Sequence, residues 1–157
     1  MRLRVIAVGS RMPDWVVTAV DDYARRLRGA WKLEIREVTA ANRRETGGEA
    51  ATALREEAQR ILPLLQAGES IVALDERGQQ WSTAELSRWL GQQRDEARDI
   101  TFIIGGPDGL SPEVLGRSTR SWSLSRLTLP HPLVRVLLIE QLYRAASVLA
   151  GHPYHRA

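Results

Sequence analysis

Five short apolar runs alternate with five helix-like stretches along the 157-residue chain. Leu3–Val8, Trp31–Val38, Ser70–Leu74, Ile100–Ile104 and Trp122–Leu124 read as strands. Asp14–Leu27, Glu49–Leu65, Ala84–Leu90, a short segment from Ser111-Pro112-Glu113, and Leu133–Ala150 carry helical spacing or helix-start signals. A β-α alternation of this kind predicts one α/β domain over residues 1–157, a mostly parallel sheet with helices on both faces. Trp31–Val38 alternates apolar and polar residues, which places it near the sheet edge. Pro13 is suited to open the first helix, Ser82 or Thr83 to cap the third, and Pro63 to bend or end the second. Asp75–Gly78 reads as a turn and Asn42–Gly48 as a mobile loop.

Several function classes are excluded early. With no cysteine there is no disulfide, thiol nucleophile or cysteine-based metal cluster. Neither G-x-G-x-x-G nor a Gly-Lys-Ser/Thr loop occurs, which disfavours dinucleotide binding of the common type and ATP or GTP hydrolysis. Met1–Gly9 carries only a short apolar run, so no signal peptide is expected. Leu133–Ala150 is interrupted by Arg135, Glu140, Gln141 and Arg144, and so reads as a buried helix and not a membrane span. A soluble cytoplasmic protein is the expectation.

In open α/β sheets ligands bind beyond the carboxyl ends of the strands. Three loops are placed there: Asp75–Gly78, Gly105–Gly109 and Ser125–His131. Gly105-Gly106-Pro107-Asp108-Gly109 lets a ligand approach bare backbone, or is simply a tight turn. Asp75 and Glu76 could serve acid–base or metal chemistry, or be solvated. His152 and His155 lack an evident third partner for zinc, so no metal is expected.

Charge is unevenly spread. Of 22 basic residues 21 are Arg, against 19 acids, and the last 44 residues hold six Arg and one acid, Glu140. This Arg surplus beside Tyr154 fits an RNA-facing surface. The final helix is apolar on more than one face, which points to burial within a homodimer.

Five segments together resemble one known family: Leu74–Gly78, Phe102–Gly109, Leu124–His131, Leu138–Ala145 and Pro153–Arg156. They are similar to the large-subunit ribosomal RNA methyltransferase H family, small knotted enzymes of the SPOUT superfamily. The resemblance covers essentially the whole chain and implies a C-terminal trefoil knot over about residues 70–157. It also implies a homodimer that transfers a methyl group from S-adenosylmethionine to N3 of pseudouridine 1915, in helix 69 of 23S rRNA, on the assembled 70S ribosome. On this resemblance Leu74, Gly105, Gly106, Leu124, Ser125, Arg126, Leu127, Thr128 and Leu129 hold the cofactor. Tyr154, His155 and Arg156 reach the target base, in the partner's active site. Leu127 stands where many relatives have Met, a mild apolar exchange, and His131 is expected to order the knot loop. Alternatives are a non-catalytic ribosome-binding protein, a methyltransferase acting on another RNA such as tRNA, or a hydrolase using Asp75 or Glu76.

Overall fold

A computed structural model describes residues 1–156 except Arg28 and Thr46, and leaves the His155 side chain outside the description. β1 (Arg2–Val8) and β4 (Ile100–Ile104) lie at the centre of a five-stranded sheet of order β2-β1-β4-β3-β5. The other strands are β2 (Lys32–Val38), β3 (Ser70–Gln80) and β5 (Arg120–Ser123). Every pairing is parallel, so all five strands present their carboxyl ends at the same edge.

Burial on both faces explains the continuous apolar runs. Leu3, Val5, Ala7, Val72, Phe102 and Ile104 pack against α1 (Asp14–Arg26), α3 (Thr83–Asp95) and α5 (His131–Leu149). Ile6, Val8, Ile71, Ala73 and Ile103 point the other way, to α2 (Ala50–Ile61) and α4 (Pro112–Arg117). The alternation within one strand follows from the two-residue period of a pleated backbone. β2 is an edge strand, as its polar alternation predicts, and only Val38 in it is buried. Among the described residues, no helix is long and apolar enough to cross a membrane.

Three boundaries differ from the sequence expectation. α3 continues past Leu90 to Asp95 because Gly91 is not a stop signal; a Cβ there would lie 3.2 Å from Leu149, so the small residue lets α3 and α5 approach. Asp75–Gly78 is a bulge within β3 and not a turn after it. Leu74 and Gln79 both pair with Trp122, and the intervening residues loop outward. Only glycine fits at position 78, where a Cβ would sit 2.6 Å from the Ser121 carbonyl carbon. α2 ends at Ile61, and Pro63 lies in a following 3-10 turn, Leu62–Leu64. At the start of α3 the Ser82 hydroxyl accepts from the Glu85 amide at 3.1 Å, while the Glu85 carboxylate accepts from the Ser82 amide at 2.7 Å. That reciprocal cap holds the Glu85 carboxyl below its ordinary range.

Candidate functional site

A cavity of about 860 Å³ opens at the carboxyl edge of β3, β4 and β5. Its walls come from the loops that follow those strands. The Gly105–Gly109 turn forms one wall. A Cβ on Gly105 would meet the Gly109 carbonyl oxygen at 2.4 Å, and Gly109 has a left-handed φ of +80°. The Gly109 amide donates to the Gly106 carbonyl at 3.0 Å, closing the turn. These constraints exclude side chains from the wall and leave backbone facing the space.

The segment after β5 forms the opposite wall. The Ser123 hydroxyl donates to the Ser125 carbonyl at 2.8 Å, and the Ser125 hydroxyl accepts from the Leu127 amide at 2.9 Å. The Thr128 hydroxyl donates to Glu76 at 3.4 Å, tying this segment to the β3 bulge. Asp75 is engaged by Arg77, whose amide donates to it at 3.0 Å. Thus both acids flagged in the sequence serve loop geometry. Trp122 closes the floor, stacked on Trp81 with ring centroids 5.2 Å apart.

Eight of the nine residues expected around a cofactor line this cavity: Leu74, Gly105, Gly106, Leu124, Ser125, Leu127, Thr128 and Leu129. Arg126 is the exception: it is exposed and does not line the cavity. His131 does line it, at the start of α5. Burial, with the neighbouring Arg135 guanidinium, pushes its imidazole below the ordinary value. The ring therefore stays neutral at pH 7 and adds no positive charge to the cavity. Below pH 6.5, the ordinary imidazole value, the unfolded chain binds a proton that the folded chain resists. Stability is then expected to fall with falling pH, and His131→Gln should flatten that part of the slope in thermal melts taken between pH 5 and 8. An unchanged slope would show that His131 does not contribute it.

The tail lies elsewhere on its own chain. Pro153–Arg156 forms a 3-10 turn folded back on α5. The Tyr154 ring centroid is 4.5 Å from that of Tyr143, and the Arg144 guanidinium lies 4.9 Å from it. The Tyr154 hydroxyl donates to Glu140 at 3.1 Å. Burial, with Tyr23 and Glu140 nearby, pushes the Tyr154 phenol up, so it remains protonated. Glu140 and Arg144 stand nine and thirteen residues beyond His131 on α5, or roughly 14–20 Å along the axis. Tyr154 and Arg156 are therefore not in the cavity of their own chain; the expected role of the His155 side chain lies outside the described residues.

Two of the six C-terminal arginines, Arg135 and Arg144, are drawn into contacts within the fold. Arg135 is buried; it pairs with Glu37 at 2.5 Å and donates to the Gly9 carbonyl at 2.9 Å. Arg144 binds Glu140 at 2.6 Å, and Arg120 lies 5.8 Å over the Trp81 ring. Arg117, Arg120, Arg126 and Arg156 are exposed. Glu140, Tyr143 and Arg144, which hold the tail, were not singled out as site residues. Their available signal was the Glu140/Arg144 spacing of four on one helix.

Comparison with known proteins agrees with this geometry. A family model described as a predicted SPOUT methyltransferase matches residues 1–155. The ribosomal RNA large subunit methyltransferase H of Chromohalobacter salexigens is 50% identical over 156 residues, covering 99% of this chain and 100% of the relative. The protein of the same name from Pseudomonas paraeruginosa is 49% identical with the same coverage. A probable methylase family protein from Haemophilus influenzae has a solved structure that superposes with a TM-score of 0.61 at 9% identity, covering 97% of this chain and 69% of that one. That likeness shows a shared fold; with the family match the fold is of SPOUT type, and the parallel strand order is consistent with a C-terminal trefoil knot. The chain belongs to the SPOUT methyltransferases, in the ribosomal RNA large subunit methyltransferase H family.

Proposed function

We propose that this protein methylates N3 of pseudouridine 1915 in helix 69 of 23S rRNA, on the assembled 70S ribosome, using S-adenosylmethionine. The observation that carries this reading is the end-to-end identity to the methyltransferase H relatives. The cavity suits the cofactor. Its volume of about 860 Å³ lies within the range of small-molecule pockets, roughly 300–1,000 Å³. Leu74, Gly105, Gly106, Leu124, Ser125, Leu127, Thr128 and Leu129 would hold it, with the bare turn and the 124–129 backbone offering amide and carbonyl groups. Exposed Arg126 is better placed toward RNA phosphate than toward the cofactor. Bound there, S-adenosylmethionine supplies an already activated methyl group, so the chain's own residues mainly orient the base and manage one proton.

The site becomes complete in a homodimer. Trp15 and Val17 on α1 and Val148 on α5 are exposed apolar residues, and Leu133, Val136 and Leu137 on α5 are only partly covered. A two-fold pairing through these helices would cover them and bring each tail toward the partner's cavity. There His155 or a water takes the N3 proton, and Arg156 stabilises the imide anion as it forms. Tyr154, its hydroxyl proton donated to Glu140, stacks on the base or accepts a hydrogen bond from it. Glu140 and Arg144 act as positioning residues for Tyr154.

The direct test incubates the protein with 70S ribosomes lacking the modification and with methyl-labelled cofactor. Nuclease fragments of 23S rRNA are then read by mass spectrometry. One added methyl on the helix 69 fragment is expected. Label on tRNA instead would move the target, and cofactor binding with no transfer to any RNA would indicate a binding protein.

A further inference from the structure

We propose that Glu57 is a positioning residue for the cofactor: its carboxylate joins the loop after β2 to the Gly105–Gly109 turn and fixes that wall of the cavity. The inference rests on the methyltransferase reading of the cavity and adds a residue that does not line it.

Glu57 lies on α2 and is only 6% exposed. The other buried residues of α2, Ala53, Ala58 and Ile61, are apolar. A leucine would pack there without desolvating a charge, so an acid in this position is costly unless its oxygens do something. One does: Oε1 accepts from the Ala41 amide at 3.3 Å. On its other side the carboxylate abuts the cofactor turn. A Cβ on Gly106 would lie 3.6 and 3.7 Å from the two Glu57 oxygens, and 3.2 Å from Val8. Gly106 is thus seated between a strand end and the Glu57 carboxylate, while lining the cavity.

Two further links run parallel to this one. Arg60, on the same helix, donates to the Thr39 carbonyl at 2.7 Å. Arg43, on the loop after β2, forms an ion pair with Asp108 of the turn. The backbone at Thr39 and Ala41 is therefore fastened to α2, and the same loop is fastened to the turn. Glu57 touches both the loop backbone and the seat of a cavity-lining glycine. Burial raises its carboxyl above the ordinary range, opposed by the Ala41 amide and by Arg60 and Arg43. A proton on the other oxygen would leave Oε1 free to accept the Ala41 bond, so the link survives in either charge state.

That property separates the variants. Glu57→Gln keeps the volume and an oxygen acceptor. Glu57→Leu keeps the volume and removes the acceptor. Calorimetric titration with S-adenosylmethionine on the intact protein should show affinity within about twofold of wild type for E57Q, and roughly tenfold weaker for E57L, the equivalent of one hydrogen bond. At saturating cofactor, kcat should be unchanged in both. Arg60→Met, which removes the Thr39 anchor together with an exposed ion pair to Glu56, should weaken binding by about twofold to threefold, and it covers the case in which E57L does not fold. Equal affinity in wild type, E57L and R60M would overturn the inference. So would equal losses in E57Q and E57L, which would make charge the active property, or a fall in kcat with affinity intact. Because the readout is cofactor affinity, failure of the rRNA reading shows separately, as wild-type binding without transfer.

Discussion

Removing Pro153–Ala157 is expected to abolish methyl transfer while leaving S-adenosylmethionine affinity near wild type. The loss should reach roughly 10³-fold or more, since on the proposed mechanism it removes the proton-handling and the anion-stabilising groups together. Cofactor affinity survives because the tail touches α5 near Glu140, Tyr143 and Arg144 and none of the cavity wall of its own chain. A mixing experiment then decides whose site the tail serves. Gly105→Ala places a Cβ against the Gly109 carbonyl at 2.4 Å and should deform the cofactor wall. Each variant alone is expected to be inactive. If the tail acts across the dimer, random mixing gives half heterodimers with one intact site each, so about a quarter of wild-type activity returns. If the tail acts on its own chain, mixing restores nothing. Size-exclusion and thermal melts on both variants confirm that they remain folded and paired.

The second large effect is on stability. Arg4 and Glu69 form a buried pair with side chains 8% and 4% exposed. Arg4 Nη2 lies 3.0 Å from both Glu69 oxygens, and Nε donates to the Thr101 hydroxyl at 3.1 Å. Thr101 in turn donates to Glu69 at 2.8 Å. Arg4→Met leaves the Glu69 carboxylate buried without its cation, at a cost of about 3–5 kcal/mol in urea unfolding. Adding Glu69→Gln should recover most of it, because the uncompensated charge is gone and Gln still accepts from the Gln66 amide. A single-variant loss below about 1 kcal/mol would show that water or another group already solvates Glu69.

Much of the architecture is legible in local pattern. The Ile100–Ile104 strand, the Pro13 helix start and the Ser82 cap depend on residues within one turn or one strand of each other. Two-residue and 3.6-residue periods report which face is covered, which is why the edge position of β2 was readable from Leu33, Ile35 and Glu37 alternating with Glu34, Arg36 and Val38. The cavity wall was readable for a different reason. Gly105-Gly106-Pro107-Asp108-Gly109 follows a strand, and in a parallel sheet that alone places it at the ligand edge.

The errors have a common cause. The third helix was read as ending at Leu90, but it runs on to Asp95, with Gly91 packed against Leu149 far along the chain. Asp75–Gly78 looked like a turn, but Trp122 of β5 keeps it inside β3. Arg135 counted toward the C-terminal arginine surplus, but Glu37, 98 residues away, holds its guanidinium in the core.

By itself the sequence determined the α/β class, the order of its elements, the family and the glycine-lined edge where a cofactor would lie. The tertiary structure decided which charges are spent internally, that the tail folds onto Tyr143 and Arg144 away from its own cavity, and that Glu57 stands behind Gly106. Periodicity is a property of neighbours along the chain. An ion pair or a carboxylate seated against a turn depends on which distant residues the packed sheet brings within a few ångströms.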